Sequence, residues 1–208
     1  MTQVSPGFYN CETYDTRQRW LSYWYQIQAI NRAKPKSILE IGCGQGLLSH
    51  YLRHNLGINV TTIDIDTSLM PDITGDVRLL RENFEPNSFD LVCAFQVLEH
   101  IPFDEFIPAL RQMREVSRET VLLSLPHCGY NLHVRLWLKN HQFAIGRRVT
   151  PFKPSSWVFN GQHYWEIGAS ESSLKRVVSM IRSVLKIKTH YFCPDYPYHY
   201  FFECHKKN

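Results

Sequence analysis

A glycine-rich stretch early in the chain has the residue types of a ligand-binding loop. Gly42, Gly44 and Gly46 stand at alternate positions directly after the short apolar run at 37–41. Glycine lets the backbone turn sharply and approach a ligand, and a helix that follows offers unpaired N–H groups to a phosphate or carboxylate. The pattern predicts a strand, a nucleotide-binding loop and a helix. It disfavours NAD, because the G-x-G-x-x-G fingerprint needs a glycine where Leu47 stands.

Acidic residues follow at positions where a nucleotide site could use them. Glu40 precedes the first glycine, Asp64 ends the next β-rich run, and Asp76 lies in a Thr-Gly-Asp-Val turn. Asp66 precedes a Thr-Ser pair and has the character of a helix N-cap. We therefore favour Asp64 over Asp66 as the ligand-binding carboxylate.

The elements that position these residues alternate between strands and helices. Strands are predicted over 37–41, 59–65, 89–95, 120–125, 185–192 and 198–204. Helices are predicted over 13–33 with Thr13 as N-cap, from Leu47, from Pro102, and after a cap at Ser170 or Ser172. Because the inner strands are apolar on both faces, we expect a doubly wound, mostly parallel α/β sheet. The connection at 193–197 is too short for a crossover helix, so the last two strands must be antiparallel.

Residues 35–126 resemble the class I S-adenosylmethionine-dependent methyltransferases with one small domain. The first motif of that family matches Glu40-x-Gly42-x-Gly44-x-Gly46, and its fourth-strand motif matches 87–92 and 97–101. The resemblance implies a seven-stranded Rossmann-like fold and S-adenosylmethionine as cofactor. It assigns Asp64 to the ribose hydroxyls, Asp76 to the adenine amino group and Gln96 to the methionine end. The cofactor residues that it implies are Glu40, Gly42, Cys43, Gly44, Gly46, Asp64, Ile65, Asp76, Val77 and Gln96.

Methyl transfer from a sulfonium needs little catalytic machinery beyond correct placement of the acceptor. Holding the acceptor in line with the leaving sulfur supplies much of the acceleration, and a general base helps only where the acceptor must lose a proton. The candidate bases are His127, His163 and His100. The alternative is that each is a packed, hydrogen-bonded histidine. No metal ligands are predicted, since the six cysteines contain no C-x-x-C pair.

A basic, aromatic segment stands out at 128–165. Its 38 residues contain five Lys or Arg, eight aromatic residues and no Asp or Glu, in a chain of net charge +4. The resemblance places a substrate-covering insertion here. It could be a lid over an anionic or lipid-like acceptor, or its aromatic side chains could form a satellite core.

The length of 208 residues predicts a single methyltransferase domain over 1–208, with an N-terminal helical segment at 1–34 and the insertion at 128–165. Scattered cysteines and the absence of a leader-like or spanning stretch predict a cytoplasmic enzyme. The favoured function is methyl transfer to a small-molecule, lipid or glycan-type acceptor. The alternatives are a nucleic-acid methyltransferase, a catalytically silent binding subunit and, more weakly, an NAD-dependent oxidoreductase. Against the nucleic-acid alternative, residues 95–98 lack the Asn/Asp-Pro-Pro-Tyr string of amino-methylating nucleic-acid enzymes.

Overall fold

A seven-stranded sheet forms the centre of the computed structural model, which describes residues 14–139, 141–149 and 157–207. The strands are β1 (Ser37–Ile41), β2 (Asn59–Asp64), β3 (Ile73–Thr74), β4 (Phe89–Phe95), β5 (Ser117–Pro126), β6 (Tyr130–Leu138), β7 (His141–Val149), β8 (Leu185–Phe192) and β9 (His199–Lys206). The helices are α1 (Arg17–Ala33), α2 (Leu47–Leu56), α3 (Leu80–Asn83), α4 (Phe106–Val116) and α5 (Leu174–Val184). The sheet order is β3-β2-β1-β4-β5-β9-β8; β9 runs antiparallel to β5 and β8, and the other neighbouring pairs are parallel. The predicted fold class is confirmed.

Apolar side chains cover both faces of the sheet, as expected for a doubly wound fold. On one face, Ile30 of α1 and Leu52 of α2 pack with Ile38 and Leu91 of the central strands. On the other face, the larger cluster contains Phe106 and Leu110 of α4, Val177 and Ile181 of α5, and Leu39 of β1. Neighbouring residues of β1 thus face opposite layers, which explains why Ile38, Leu39 and Ile41 are all apolar.

Three helix starts differ from the predicted ones. Helix α4 begins at Phe106 rather than at Pro102, after a 3-10 turn at Phe103–Glu105. The hydroxyl of Thr16 accepts a hydrogen bond from the Arg19 N–H and caps α1, while the predicted cap Thr13 lies outside the described residues. Ser173 caps α5 instead of Ser170 or Ser172. The fully buried Ser172 hydroxyl donates to the Glu166 carbonyl at 2.5 Å, so it is engaged elsewhere.

Strands β6 and β7 form a separate antiparallel hairpin between β5 and α5. Leu132, Val134 and Leu136 of β6 and Phe143 and Ile145 of β7 share one face, and each is about half exposed or more. At its base the hairpin lies against the loop after β8: a Cβ at Gly146 would stand 2.5 Å from the Pro194 carbonyl oxygen. Within the described residues, no helix has the length and apolar character needed to cross a membrane.

Candidate cofactor site and neighbouring histidine cluster

A cavity of about 420 Å³ lies at the carboxyl ends of β1, β2 and β4. Ligands of doubly wound sheets bind at this edge, next to the point where the strand order reverses. Seven of the ten predicted cofactor residues line the cavity: Gly42, Gly44, Asp64, Ile65, Asp76, Val77 and Gln96. Glu40, Cys43 and Gly46 belong to the same loop and the strand before it, but they are not among the lining residues.

The glycine loop is held in a conformation that other residues would not adopt easily. Gly42 has φ +73°, and a Cβ there would lie 2.3 Å from Cγ2 of Val97. Its N–H donates to the Ile63 carbonyl at 2.9 Å, which fixes the loop to β2. Gly46 has φ +75° and is the N-cap of α2. The loop therefore brings bare backbone to the cavity wall, as a bound nucleoside requires.

Asp64 is held at the end of β2 with its carboxylate at the cavity. Its Oδ1 accepts the Asp66 N–H at 3.0 Å, and the Cys43 thiol lies 3.9 Å from its Oδ2. Partial burial raises the pKa of Asp64, and backbone N–H groups of Asp66, Gly44 and Cys43 counteract that rise. The Asp66 carboxylate instead accepts the Ser68 N–H and hydroxyl, so its predicted capping role is confirmed.

Asp76 forms an ion pair with Arg78 that the sequence did not indicate. The Arg78 guanidinium donates to both of its carboxylate oxygens, and the Arg78 N–H donates to Oδ1 at 2.9 Å. Burial alone would raise the pKa of Asp76, but the hydrogen bonds and charge of Arg78 lower it below its usual value. The carboxylate is thus ionised and oriented, and Arg78 itself is part of the cavity wall.

Glu40 lies behind the glycine loop and is almost completely buried. Among the described residues its Oε2 has no hydrogen-bond partner. Burial raises the pKa of Glu40 to about 8, although the charge of Arg53 opposes the shift. Near neutral pH the Glu40 side chain is therefore mostly protonated and neutral.

Gln96 adopts a backbone conformation unusual for its type, with φ +60°. Its N–H donates to the Ser124 carbonyl at 2.9 Å, and its side-chain amide donates to the Ser124 hydroxyl at 3.1 Å. Strained positions of this kind persist where the surroundings hold them and are concentrated at functional sites.

The three candidate histidines fall into two places. His100 lines the cavity, and its ring meets that of His163 edge to face, with centroids 4.9 Å apart. His127 lies elsewhere, packed 5.1 Å from the Phe192 ring, and is not among the cavity-lining residues. Burial lowers the pKa of both His100, to about 4, and His127. The proposed catalytic role of His127 stays a prediction without a cavity contact behind it.

Several cavity-lining side chains have no individual signal in the sequence. Tyr14 and Phe95 belong to this group, as do Phe159 and Tyr164 from the predicted insertion. The rings of Phe159 and Tyr164 lie 4.6 Å apart, and the Tyr164 N–H donates to the Glu99 carbonyl. The aromatic density of 128–165 marked the region, but only the packing shows which of its rings face the cavity.

The fold and the site together define a Rossmann-like α/β protein with a nucleoside-cofactor crevice. A model of the methyltransferase domain family matches residues 15–178, so the chain belongs to that family. Membership of this family agrees with the expectation that the cofactor is S-adenosylmethionine. The bare glycine loop, the carboxylate at the end of β2 and the cavity beside them fit this cofactor.

Comparisons with individual proteins agree with this assignment. The mitochondrial ubiquinone biosynthesis O-methyltransferase of Schizosaccharomyces pombe is 35% identical over 80 residues, which are 32% of this chain and 29% of that protein. The crystal structure of PH0226 from Pyrococcus horikoshii covers 99% of this chain and 97% of its own, with a TM-score of 0.62 and 14% identity. A Burkholderia thailandensis 1,6-didemethyltoxoflavin-N1-methyltransferase with bound S-adenosylhomocysteine has a TM-score of 0.56 and 13% identity, over 99% of this chain and 94% of that one. The chain thus spans less than a third of the length of the curated relative.

Proposed function

We propose that this methyltransferase modifies a hydroxyl oxygen of a small organic acceptor. The observation that carries the proposal is a single cavity wall with two kinds of residue. Asp64 and the glycine loop line the cavity as candidate cofactor residues, and His100, Phe159 and Tyr164 line the same cavity as candidate acceptor residues. Support for an oxygen acceptor comes from the curated relative, whose name describes an O-methyltransferase.

The bound cofactor would supply a methyl group on a positively charged sulfur, which is transferred as the C–S bond breaks and the new C–O bond forms. The role of the protein is to orient both molecules and to exclude water. The acceptor hydroxyl must also lose its proton, which requires a base or a water molecule that accepts it. His100 is the candidate histidine that lies at the cavity wall.

The aromatic wall favours an acceptor with an apolar or aromatic body. Tyr164 is 44% exposed and Phe159 50% exposed, so both rings present area to a ligand. In the sequence, the absence of acidic residues over 128–165 adds a preference for an anionic acceptor. The role of 159–164 as acceptor cover is part of this proposal, and so is the single-domain organisation over 1–208. The cytoplasmic location stays a prediction.

A labelled-methyl assay tests the proposed acceptor class. Purified protein is incubated with methyl-labelled S-adenosylmethionine and matched acceptors: a catechol carboxylate, its amine analogue and a short RNA. We expect label on the catechol oxygen and at most traces on the other two. Label on the amine or the RNA alone would replace the oxygen proposal by an N-methyltransferase or a nucleic-acid methyltransferase, respectively.

A further inference from the structure

Glu99, His100 and His163 bring three potential metal-ligand atoms together beside the cavity. One carboxylate oxygen and one ring nitrogen from each histidine all lie within 4.8 Å of one another. Ligands at about 2.1 Å from a tetrahedral ion stand roughly 3.4 Å apart, so closing a separation of 4.8 Å takes about 1.4 Å of side-chain movement. Rotation of the side chains about their χ angles can supply a movement of that size.

The carboxylate of Glu99 points to a missing positive partner. Glu99 is completely buried, and neither of its side-chain oxygens has a hydrogen-bond partner among the described residues. Buried carboxylates are normally paired, hydrogen-bonded or bound to a metal ion, because burial without compensation is costly. A second buried carboxylate, Glu166, lies near enough to repel its charge. A cation bound to the Glu99 carboxylate would compensate its buried charge.

Both histidines have the Nδ1 contacts that metal-binding histidines usually have. His163 Nδ1 lies 2.9 Å from Glu166 Oε1, and the same oxygen accepts the Tyr198 hydroxyl at 2.7 Å. His100 Nδ1 lies 3.0 Å from the Gln162 carbonyl. Because a carboxylate and a carbonyl only accept, each Nδ1 carries the proton, and in the neutral ring the lone pair is on Nε2. In metal-binding histidines, the ring nitrogen that does not bind the ion usually donates its N–H to a carboxylate or a carbonyl.

From these contacts we propose that Glu99, His100 and His163 bind one divalent first-row transition-metal ion at the cavity wall. Two imidazole nitrogens and one carboxylate oxygen suit Zn²⁺, Co²⁺ or Mn²⁺ better than Mg²⁺ or Ca²⁺, which favour oxygen ligands. This departs from the sequence-based expectation of no metal ligands, which depended on cysteine spacing and did not weigh a Glu-His pair with a third ligand 63 residues on.

The ion would have a role in the proposed function, on which this part of the inference rests. Three protein ligands leave coordination positions open, and His100 belongs to both the cluster and the cavity wall. An acceptor oxygen held there would lose its proton to water more readily, since the cation stabilises the electron pair that stays on oxygen. His100 would then be a ligand and not a general base.

Metal titration with matched variants tests the site. Co²⁺ is titrated into the metal-free full chain and followed by its visible spectrum, with Zn²⁺ added as competitor. We expect one Co²⁺ per chain, displaced by Zn²⁺ but not by an equal concentration of Mg²⁺. Glu99→Gln and His163→Gln should each weaken binding at least 100-fold, and Glu166→Gln by about 10- to 100-fold through loss of orientation.

The control is the exposed pair His50 and His54 on α2, whose rings lie 4.3 Å apart and could themselves bind an ion. The double variant H50Q/H54Q should keep the bound Co²⁺. Loss of binding in that variant, or retention in both Glu99→Gln and His163→Gln, would overturn the site. A titration with S-adenosylmethionine on every variant checks folding and separates the two proposals: cofactor binding without metal binding rejects the metal site alone, and metal binding without cofactor binding rejects the proposed function.

Discussion

Asp64 is the single residue for which the site supports the strongest prediction. Its carboxylate lies at the cavity, where it can accept one hydrogen bond from each of two adjacent ribose hydroxyls. Hydrogen bonds to a charged group contribute roughly 1.5–3 kcal/mol each, and paired losses are not additive. Asp64→Ala should therefore weaken S-adenosylmethionine binding by about 2–4 kcal/mol, on the order of 30- to 1,000-fold by calorimetry.

Asp66→Ala is the matched control for that measurement. Asp66 also borders the cavity, but its carboxylate is engaged with the Ser68 N–H and hydroxyl. Its loss should lower the melting temperature and change cofactor affinity little. The assignment of the ribose carboxylate is wrong if Asp66→Ala abolishes binding while Asp64→Ala preserves it.

Glu40 predicts how stability depends on pH. Its pKa is about 8 in the folded chain, from burial, against the ordinary value of 4.5. Between those values the folded chain holds a proton that the unfolded chain has released, so stability is lost as pH rises. In cofactor-free protein, the free energy of unfolding should fall relative to Glu40→Gln by up to about 1.4 kcal/mol per pH unit between roughly pH 5 and 8. Urea denaturation of both proteins across that range measures the difference, and a constant difference would contradict the prediction.

At the scale of elements, the β1–α2 loop depends on glycine for two separable reasons. Gly42 has a left-handed φ and also lacks space for a Cβ, whereas Gly57 at the end of α2 has φ +66° and nothing within 4 Å. Gly57→Ala should lower the free energy of unfolding by about 1–2 kcal/mol through backbone strain alone. Gly42→Ala should cost roughly 1–3 kcal/mol more, because the new methyl group collides with Val97. Equal losses in urea denaturation would mean that Val97 moves aside freely.

The elements that were predictable from sequence are those with local signals. Strands β1, β4 and β8 have the expected ends. Mostly apolar, buried runs bounded by glycine or turn residues mark β1 and β4, and a β-rich run that stops just before Pro194 marks β8. The glycine loop and Asp64 were also predictable from local signals, because they stand at the ends of β-rich runs. The prediction of Ser172 as a helix cap was wrong because its burial and its hydrogen bond to the Glu166 carbonyl depend on the tertiary structure.

The hairpin and the Glu99–His100–His163 cluster escaped prediction for different reasons. In β6, apolar residues alternate with His133 and Arg135, which is a period-2 strand signal that the unusual charge and aromatic content obscured. His163 lies next to Glu99 and His100 because the segment at 157–167 folds back onto the residues that follow β4. The sequence alone does not indicate this long-range contact.

For the whole molecule, the structure separates the predicted insertion into two parts. No hairpin residue is among the described residues lining the cavity, whereas four residues of 159–164 are. Changing Leu132, Leu136 and Phe143 together to Ser should therefore alter cofactor affinity less than about twofold. The melting temperature should also change little, because all three side chains are more than half exposed.

Tyr164→Ala provides the comparison within the same insertion. Tyr164 lines the cavity, so its removal should weaken cofactor or acceptor binding measurably in the same calorimetric and labelled-methyl assays. A greater loss of cofactor affinity in the triple hairpin variant than in Tyr164→Ala would show that the hairpin closes over the cavity in solution.

The place of β9 in the sheet has a consequence for synthesis on the ribosome. Strand β8 precedes β9 in the chain but joins the sheet only through it, since β9 lies between β5 and β8. A nascent chain that has emerged as far as β8 therefore keeps an open hydrogen-bonding edge on β5. That intermediate is the one most exposed to aggregation, and it persists until the β9 segment clears the exit tunnel.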